Sequence, residues 1–404
     1  MERIAVKIRF SGAPVEVGEL VLRGRQVFFK YYPDFLAQDL VLSPFHLKQT
    51  DEVQRAGTDI FDGLFGVFAD SLPDGWGRLL LDRALTSKGI RLDDIDMLDR
   101  LAFVGAHGPG ALSYHPAKSG LMSEAPSVDL DQIVRESNII LAGKSSDIVE
   151  ELVQLGGSSG GARPKIVVGY NPKADQLMGG VNTLPEGYEP WLIKFPAMVD
   201  PADIARTELA YHNMALAAGL EMEDCRLFTG KSGQTYFGTK RFDRRGNDRL
   251  HLHSAAGLMH DNFRLTNMDY GHVMDAAFRL ENDRTACSKV LRLAAFNVFA
   301  HNRDDHSKNI SFLMDETGTW RLAPAYDLTF SQSSHGYHSM TVAGESKSPG
   351  RPQLLELAQT FSIKKPEQII GEVREAVSRW SEFAKAADVP PATVKLIDRA
   401  LNGS

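Results

Sequence analysis

Phe299-Ala-His-Asn-Arg-Asp304-Asp-His306-Ser-Lys308-Asn309 is the most informative segment of the chain, because it places an Asp and an Asn five residues apart. Catalytic loops of phosphotransferases have this spacing, with the Asp orienting the accepting hydroxyl and the Asn holding a magnesium ion. Asp and Asn are also common turn formers, so the pair needs support from its surroundings.

The residues that follow predict a β-hairpin. Two short apolar runs, residues 310–314 and 319–322, flank the turn sequence Asp-Glu-Thr-Gly, which is the pattern of two strands joined by a tight turn. The hairpin would return Asp327 to the neighbourhood of Asn309. Asn309 and Asp327 are therefore the expected magnesium ligands, and Asp304 beside them is the expected catalytic base.

Composition indicates an ordinary globular protein. The chain has 404 residues, of which 43% are hydrophobic and 24% are charged, and this length allows two or three domains with buried cores. The formal net charge is -7, which does not favour nucleic-acid binding by the surface as a whole. Any contact with DNA is therefore expected through a partner.

Cysteine usage and hydropathy bear on the compartment. Cys225 and Cys287 are the two cysteines, and their lack of CxxC spacing argues against a disulfide scaffold or a zinc site. Charges stand at the N-terminus where a signal peptide needs an apolar run, and no stretch approaches 18 uninterrupted apolar residues. The sequence thus predicts a cytoplasmic protein without a membrane contact.

Periodicity predicts β structure first and helices later. Alternating apolar and charged residues over 3–10, 14–22 and 26–32 predict a small antiparallel β domain. A change of composition over 117–127 indicates a domain boundary. Further strands are expected over 166–170, 191–196 and 234–243, and helices over 78–85, 129–155, 204–220, 286–300 and 369–383.

A glycine-rich segment precedes the second group of strands. Gly156, Gly157, Gly160 and Gly161 leave backbone amides free to approach phosphate oxygens, because no side chain intervenes. The spacing is not that of a Walker A loop, and a flexible Gly/Ser linker would have the same composition. This segment by itself leaves the two interpretations open.

Lys194 favours the phosphate-binding interpretation. It lies in a predicted strand among apolar neighbours, where an unpaired ammonium would be costly. In kinase-like lobes a strand lysine bridges ATP phosphates and a helix glutamate, and Glu208 lies on the next predicted helix. The alternative is an edge-strand lysine that extends its ammonium to solvent.

At these positions the chain resembles the HipA family of bacterial toxin kinases, which are serine/threonine protein kinases of toxin-antitoxin modules. The similarity extends over most of the chain. No single motif is specific, but five occur in the family's order. They are Gly160-Gly-Ala-Arg-Pro-Lys165, Leu192-Ile-Lys194-Phe-Pro, Lys240-Arg-Phe242-Asp-Arg-Arg, Asp304-Asp-His-Ser-Lys-Asn309 and Pro324-Ala-Tyr326-Asp327.

The resemblance implies an α+β fold with a two-lobed, protein-kinase-like core. A β-rich lobe with the glycine-rich loop is expected over residues 123–245, and a helical lobe with the catalytic loop over 246–404. A small β-rich N-terminal domain is expected before them, over residues 1–122.

The resemblance also implies roles for individual residues. Asp304 would be the catalytic base, Asn309 and Asp327 the magnesium ligands, and Lys194, paired with Glu208, the nucleotide lysine. Lys240 stands where the family often has an acidic residue, although backbone groups mostly read adenine there. The implied ATP contacts of the phosphate loop are Gly160, Gly161, Ala162, Arg163, Pro164 and Lys165. Those of the adenine hinge are Lys240, Arg241 and Phe242, and those of the pocket wall are His306, Lys308 and Tyr326.

Regulation and partners follow from the same resemblance. Ser158 would be autophosphorylated, which displaces the loop and inactivates the kinase, although Ser159 beside it leaves the modified serine ambiguous. The implied cofactors are ATP and Mg²⁺. The implied partner is a small, HipB-like helix-turn-helix antitoxin that represses the operon, so DNA would be contacted only through it. Family substrates include aminoacyl-tRNA synthetases.

Two other functions are compatible with parts of the sequence. Small-molecule phosphotransferases of the aminoglycoside or choline kinase type also pair an Asp and an Asn at this distance, but they need an acidic pocket for a cationic substrate. The polar segment 331–339 follows Asp327 instead, and it suits the docking of a polypeptide. A non-enzymatic scaffold or co-repressor is disfavoured because Asp304, Asn309 and Lys194 are intact.

Overall fold

The computed structural model describes residues 2–57, 60–118, 128–156, 161–179, 183–333 and 336–402. The first sheet lies in the N-terminal part of the chain and is antiparallel, in the order β4-β3-β2-β1-β5. Its strands are β1 (Arg3–Ile8), β2 (Val15–Arg23), β3 (Gln26–Tyr31), β4 (Gln54–Arg55) and β5 (Leu112–His115). Alternate residues of β1 are buried, as the alternating sequence predicts.

The helices between β3 and β5 in the chain are α1 (Pro33–Leu36), α2 (Gly66–Ala69), α3 (Gly75–Ser87) and α4 (Met97–Val104), with a 3₁₀ turn at Leu92–Asp94. Helix α4 begins with a capping box, in which Asp96 and Asp99 each accept the other's backbone N–H. Helix α3 begins differently. Asp74 occupies its N-cap position, yet the Asp74 side chain makes no bond to its own helix.

The second sheet is also antiparallel, in the order β7-β6-β8-β10-β9. Its strands are β6 (Lys165–Asn171), β7 (Gln176–Gly179), β8 (Glu189–Lys194), β9 (Cys225–Thr229) and β10 (Thr235–Lys240). The helix α7 (Ile204–Ala217) packs against β9 and β10. This confirms the expected strands near 166–170, 191–196 and 234–243.

Two helices precede the second sheet, α5 (Leu130–Leu141) and α6 (Val149–Gly156). The prediction of one helix over 129–155 is wrong. The first helix ends at Leu141, and Gly143 just after it has a φ of +80°, a left-handed conformation that glycine adopts without steric cost. Apolar residues of α3, including Trp76 and Leu80, share one core with α5, α6 and the second sheet. Helix α3 is therefore anchored beside the second sheet.

The remaining chain is mostly helical and carries two small sheets. The strands β11 (Arg244–Arg245) and β12 (Asp248–Arg249) form a ribbon, and the third sheet contains β13 (His251–Ser254), β14 (Ser311–Met314) and β15 (Trp320–Leu322). The helices are α8 (Ala255–Met259), α9 (Tyr270–Glu281), α10 (Arg284–Phe299), α11 (Arg351–Thr360), α12 (Pro366–Ser378), α13 (Trp380–Ala386) and α14 (Pro391–Asn402), with a 3₁₀ turn at Ser307–Asn309.

In this part of the chain, one predicted element is present and another is divided in two. The β14-β15 hairpin is present, and Gly318 in its turn has a φ of +81°, which confirms the predicted hairpin. The apolar spacing over 369–383 belongs to two helices rather than one, because α12 ends and α13 begins around Arg379. The architecture is α+β, with a β-rich lobe around the second sheet and a helical lobe after it.

Candidate active site

The loop between α10 and β14 is extended, and its side chains alternate between two directions. Asp304, His306 and Lys308 line a cavity, whereas Asp305 and Ser307 are buried behind it. The Asp304 side chain is 57% exposed, and the Nε2 of His306 lies 3.7 Å from its Oδ1. Successive side chains of extended backbone point to opposite sides, which separates Asp304 and His306 from Asp305, whereas Lys308 and Asn309 of the 3₁₀ turn both line the cavity.

Buried hydrogen bonds hold this loop from behind. Asp305 accepts one bond from the Tyr270 hydroxyl at 3.0 Å and another from the backbone N–H of Ser339 at 2.8 Å. The Ser307 hydroxyl donates to Asp261 at 2.5 Å. Satisfied polar networks of this kind specify one arrangement of the backbone. The back of the loop therefore fixes the position of the side chains at its front.

Asn309 and Asp327 line the same cavity from the two ends of the hairpin. The Asn309 Nδ2 donates to the backbone carbonyl of Asp304 at 2.9 Å, which leaves the amide oxygen of Asn309 for another partner. Asp327 has a φ of +57°, a left-handed conformation that Asp adopts more readily than most residues. The hairpin thus brings to one cavity the residues that the sequence expected to be neighbours.

Lys194, at the end of β8, bridges two carboxylates. Its Nζ lies 2.6 Å from Oε2 of Glu208 on α7 and 2.5 Å from Oδ1 of Asp327. Burial would lower the pKa of Lys194, but the charges of Asp327 and Glu208 outweigh burial and raise this pKa. Lys194 in turn holds the pKa of Asp327 below its usual range, although burial opposes this effect. Lys194 and Asp327 are therefore both ionised at neutral pH.

A second lysine lies beside the first. Lys165 of β6 is the register partner of Lys194 in β8, and Lys165 is buried. Burial and the charge of Lys194 lower the pKa of Lys165, while Asp327 acts in the opposite direction. Neighbouring buried cations are unfavourable unless anions compensate them. The carboxylates of Asp327, Asp74 and Glu208 provide this compensation, and both ammonium groups line the cavity, where a polyphosphate would find charge-assisted donors.

The described part of the glycine-rich segment begins at Gly161. Ser158, Ser159 and Gly160 lie outside the described residues. Gly161 and Ala162 line the cavity. Gly161 has a φ of +86°, a left-handed conformation that glycine adopts without steric cost.

Arg163 and Pro164 have other contacts. The Arg163 Nε and Nη2 each bond an oxygen of Asp200 at 2.9 Å, and this ion pair raises the pKa of Arg163 against the effect of burial. The Pro164 carbonyl accepts the backbone N–H of Phe195 at 2.8 Å. Arg163 lines the cavity, but its guanidinium already has a carboxylate partner.

The segment after β10 forms another wall of the cavity. Lys240 pairs with Glu189 at 2.9 Å, and Arg241 bonds both oxygens of the following Asp243 at 2.9 and 2.7 Å. Both cations therefore have carboxylate partners of their own. The groups of this segment that remain for contact with a flat aromatic ligand are its backbone and the side chain of Phe242.

Tyr326 completes this wall. Its ring centroid lies 5.1 Å from that of Phe242. The Tyr326 hydroxyl donates to the backbone carbonyl of Lys308 at 2.7 Å and lies 2.7 Å from the Ser311 hydroxyl. Tyr326, the residue before Asp327, is thus bonded to the loop that carries Asp304 and Asn309.

The cavity that these residues line has a volume of about 530 Å³, which is typical of small-molecule sites. The second sheet, the catalytic loop and an N-terminal segment that includes Asp70 and Asp74 form its walls. Among the residues that the structure describes, every expected site residue lines the cavity except Pro164.

Sequence reasoning missed Asp74 as a member of this site. The Asp74 carboxylate accepts bonds from the backbone N–H of Gly161 and from the Lys308 ammonium. These partners are 87 and 234 residues away along the chain. The local signal, an Asp-Gly pair before a helix, predicts only a turn and an N-cap.

Two protein-family models match the chain. The HipA N-terminal domain matches residues 8–115, and the HipA-like C-terminal domain matches residues 157–380, more than half of the chain. The chain belongs to the HipA family. The match to the C-terminal domain covers the glycine-rich loop, the catalytic loop and Asp327.

A solved HipA structure has the same fold as this HipA-family chain. HipA of Shewanella oneidensis MR-1, solved with HipB and its operator DNA, superimposes with a TM-score of 0.70 at 17% identity, covering 98% of this chain and 95% of that one. The fold is thus α+β with a two-lobed, kinase-like core. The match to the proinflammatory kinase CtkA of Helicobacter pylori has a TM-score of 0.34 at 12% identity and covers 58% of this chain and 96% of that one.

Among curated proteins, a candidate kinase of Sinorhizobium fredii, Y4dM, is 25% identical to this HipA-family chain. The match covers 65% of this chain and 61% of Y4dM. The chain therefore spans about three fifths of the length of this relative. Within the described ranges, no helix has the length and apolar character needed to cross a membrane.

Proposed function

We propose that the chain is an ATP- and Mg²⁺-dependent serine/threonine protein kinase that acts as the toxin of a toxin-antitoxin module. One observation carries the proposal: Asp304, Asn309, Asp327 and the Lys194–Glu208 ion pair meet in one cavity. Phosphotransfer needs this set, because catalysis depends on positioning the hydroxyl and on compensating the charge of the phosphates.

Asp304 is the proposed base. Its carboxylate is exposed to the cavity, where a substrate hydroxyl can reach it, and the neighbouring Asp305 anchors the backbone that carries it. Proton transfer requires hydrogen-bond reach and a fixed position. Asp304 would therefore accept the hydroxyl proton while the substrate oxygen attacks the terminal phosphorus of ATP, and the bond from that phosphorus to the bridging oxygen would break as ADP leaves.

Asn309 and Asp327 are the proposed magnesium ligands. Amide and carboxylate oxygens are donors that Mg²⁺ prefers. The described part of the chain contains no group of three or more His, Cys, Asp or Glu side chains suited to a metal, which favours an ion that enters together with nucleotide phosphates. When bound, magnesium neutralises phosphate charge. Because Glu208 also pairs with Lys194, this lysine would keep an anionic partner if Asp327 held the ion.

The nucleotide would lie along the rest of the cavity. Lys165, Lys194 and the Gly161 amide lie at its phosphate end, and the aromatic rings of Phe242 and Tyr326 suit an adenine. Ala162, His306 and Lys308 complete the proposed contacts.

The proposed partners rest on the family and on charge. The Shewanella HipA was solved with HipB and operator DNA, which supports a HipB-like helix-turn-helix antitoxin for this chain. A net charge of -7 supports DNA contact only through that partner. The polar residues after Asp327 suit a polypeptide substrate, and a translation component such as an aminoacyl-tRNA synthetase is the proposed target.

The test is expression of the chain in a bacterial host, with growth measured after induction and phosphoproteins compared by mass spectrometry. Growth arrest and new phosphoserine or phosphothreonine on a host protein are expected, and both should vanish in an Asp304→Asn variant expressed at the same level. Arrest that persists in the variant, or phosphate found only on small molecules, would contradict the proposal.

A further inference from the structure

The N-terminal domain contributes one carboxylate to the phosphate end of the cavity. One oxygen of Asp74 accepts the backbone N–H of Gly161 and the other accepts the Lys308 ammonium. The side chain is 16% exposed. Burial alone would raise the pKa of Asp74, but the charge of Lys308 and these bonds hold the pKa below its usual range. Asp74 is therefore an anion at neutral pH.

The two partners of Asp74 are donors that a phosphate would also use. Gly161 offers a backbone amide without a side chain, and Lys308 offers an ammonium on the catalytic loop; both line the cavity. Carboxylate and phosphate oxygens accept the same charge-assisted bonds. Asp74 and a nucleotide phosphate therefore compete for these two groups.

Backbone contacts hold the same glycine from its other side. The Trp76 N–H donates to the Gly161 carbonyl at 2.9 Å. Gly75 packs so closely that a Cβ on it would lie 2.5 Å from that carbonyl oxygen. Trp76 itself is buried in the core of the second sheet. Residues 74–76 thus engage both polar groups of Gly161 from an anchored position.

We infer that Asp74 is a positioning residue that occupies the phosphate-binding donors Gly161 N–H and Lys308 until a nucleotide phosphate displaces it. The N-terminal domain thereby sets the affinity of the cavity for nucleotide. The inference rests on the proposed function for the identity of the competing ligand, but the competition itself concerns any polyphosphate that reaches these donors.

Asp74→Asn tests this inference, because the amide keeps the size of the side chain and removes its charge. Calorimetric titration with Mg-ATP should show binding about tenfold tighter than in the parent, since one charge-assisted contact no longer competes. The KM for ATP should fall in the same direction. Asp74→Glu retains the charge and should stay nearer to the parent than Asn does. If the role of Asp74 is purely structural, Asp74→Asn should lower the melting temperature without tightening ATP binding.

Asp82→Asn is the matched control. Asp82 lies on the same helix, α3, and pairs with Arg100 at 2.7 Å rather than lining the cavity, so its loss should leave ATP affinity unchanged. If Asp74→Asn does not fold, Asp74→Ser serves instead, because the shorter neutral side chain also removes the competing charge and should also tighten binding.

Equal or weaker binding of Mg-ATP by the folded Asp74 variant, with the Asp82 control like the parent, would overturn the inference. Failure of the proposed function looks different, because the parent itself would then bind no Mg-ATP. In that case magnesium pyrophosphate is titrated as the probe for the same donors. Tighter pyrophosphate binding by Asp74→Asn supports the competition, and unchanged binding contradicts it.

Discussion

Asp304 and Asp305 are adjacent in the chain, yet their carboxylates lie on opposite faces of the same loop. The Asp304 side chain is open to the cavity, whereas that of Asp305 is fully buried and bonded to Tyr270 and Ser339. The two carboxylates therefore have different surroundings, because the first faces the cavity and the second holds the backbone of the loop.

Substitution of each aspartate should separate these roles. Asp304→Asn should fold normally and lower the rate of phosphotransfer about a hundredfold or more, the size of a general-base contribution. Asp305→Asn should instead destabilise the protein by about 1.5 to 3 kcal/mol, because buried charge-assisted bonds weaken. Initial rates and thermal melting of both variants measure the difference. The assignment is wrong if Asp304→Asn keeps its rate.

Asp327 can be tested through the metal dependence of ATP binding. Asp327→Ala removes a proposed ligand oxygen but leaves Lys194 paired with Glu208, so the fold should persist. Magnesium-dependent binding of ATP should be lost, because Mg²⁺ needs its few protein oxygens as well as the phosphates. Calorimetry with and without Mg²⁺ measures this. A variant that binds and uses Mg-ATP like the parent would rule out Asp327 as a ligand.

Autophosphorylation is the next prediction. Incubation with Mg-ATP should add one phosphoryl group at Ser158 or, second, at Ser159, in the segment that leads to Gly161. The added phosphate brings close to two negative charges near amides that ATP also needs, so ATP affinity should fall. Peptide mass spectrometry locates the group, and the Asp304→Asn variant should lack it. Phosphate found only outside residues 156–165 would contradict this prediction.

Local spacing explains why part of the site could be predicted from the sequence. Asp304, Asn309 and Asp327 are joined by a short loop and one hairpin, whose turn and strand signals are contained in neighbouring residues. Lys194 was marked by its place in an apolar strand, since a buried ammonium needs an anion. Few residues separate the loop from the hairpin, and the prediction for Lys194 depends on its immediate neighbours, so local sequence patterns predict both.

Long-range contacts explain why the rest could not be predicted. Asp74 reaches Gly161 and Lys308 only because α3 packs into the core of the second sheet, and no periodicity encodes that packing. The helix break at Gly143 was missed for another reason. A single glycine within a periodic apolar pattern is compatible with either a continuous helix or a C-cap, and the tertiary arrangement decides between them.

Acid sensitivity is expected from His251. It is fully buried with its Nε2 2.9 Å from the Leu42 carbonyl oxygen, and burial together with the charge of His253 lowers the pKa of His251 from 6.5 to about 4. Between these values the unfolded chain binds a proton that the folded chain does not. Stability is therefore full above pH 6.5 and falls as the pH falls, by up to about 1.4 kcal/mol per pH unit for this group.

His251→Gln provides the measurement. Glutamine can still donate to the Leu42 carbonyl but does not titrate, so urea unfolding between pH 7.5 and 5 should show a shallower loss of stability than in the parent. His260 and His301, whose pKa values burial also lowers to about 4, should leave a remaining slope. Identical slopes in parent and variant would show that His251 does not contribute.

The Lys194–Glu208 pair should show strong coupling in a double-mutant cycle. Lys194→Met leaves the buried Glu208 carboxylate without its cation, which should cost about 3 to 5 kcal/mol, as for other broken buried pairs. Glu208→Leu added to Lys194→Met removes one of the two carboxylates that the lysine compensates, the other being Asp327, so the double variant should be more stable than Lys194→Met alone while ATP binding stays lost. Urea unfolding and ATP titration of the four proteins give both quantities. Additive losses of stability would show that the two side chains contribute independently, and retained ATP binding in Lys194→Met would remove this lysine from the nucleotide site.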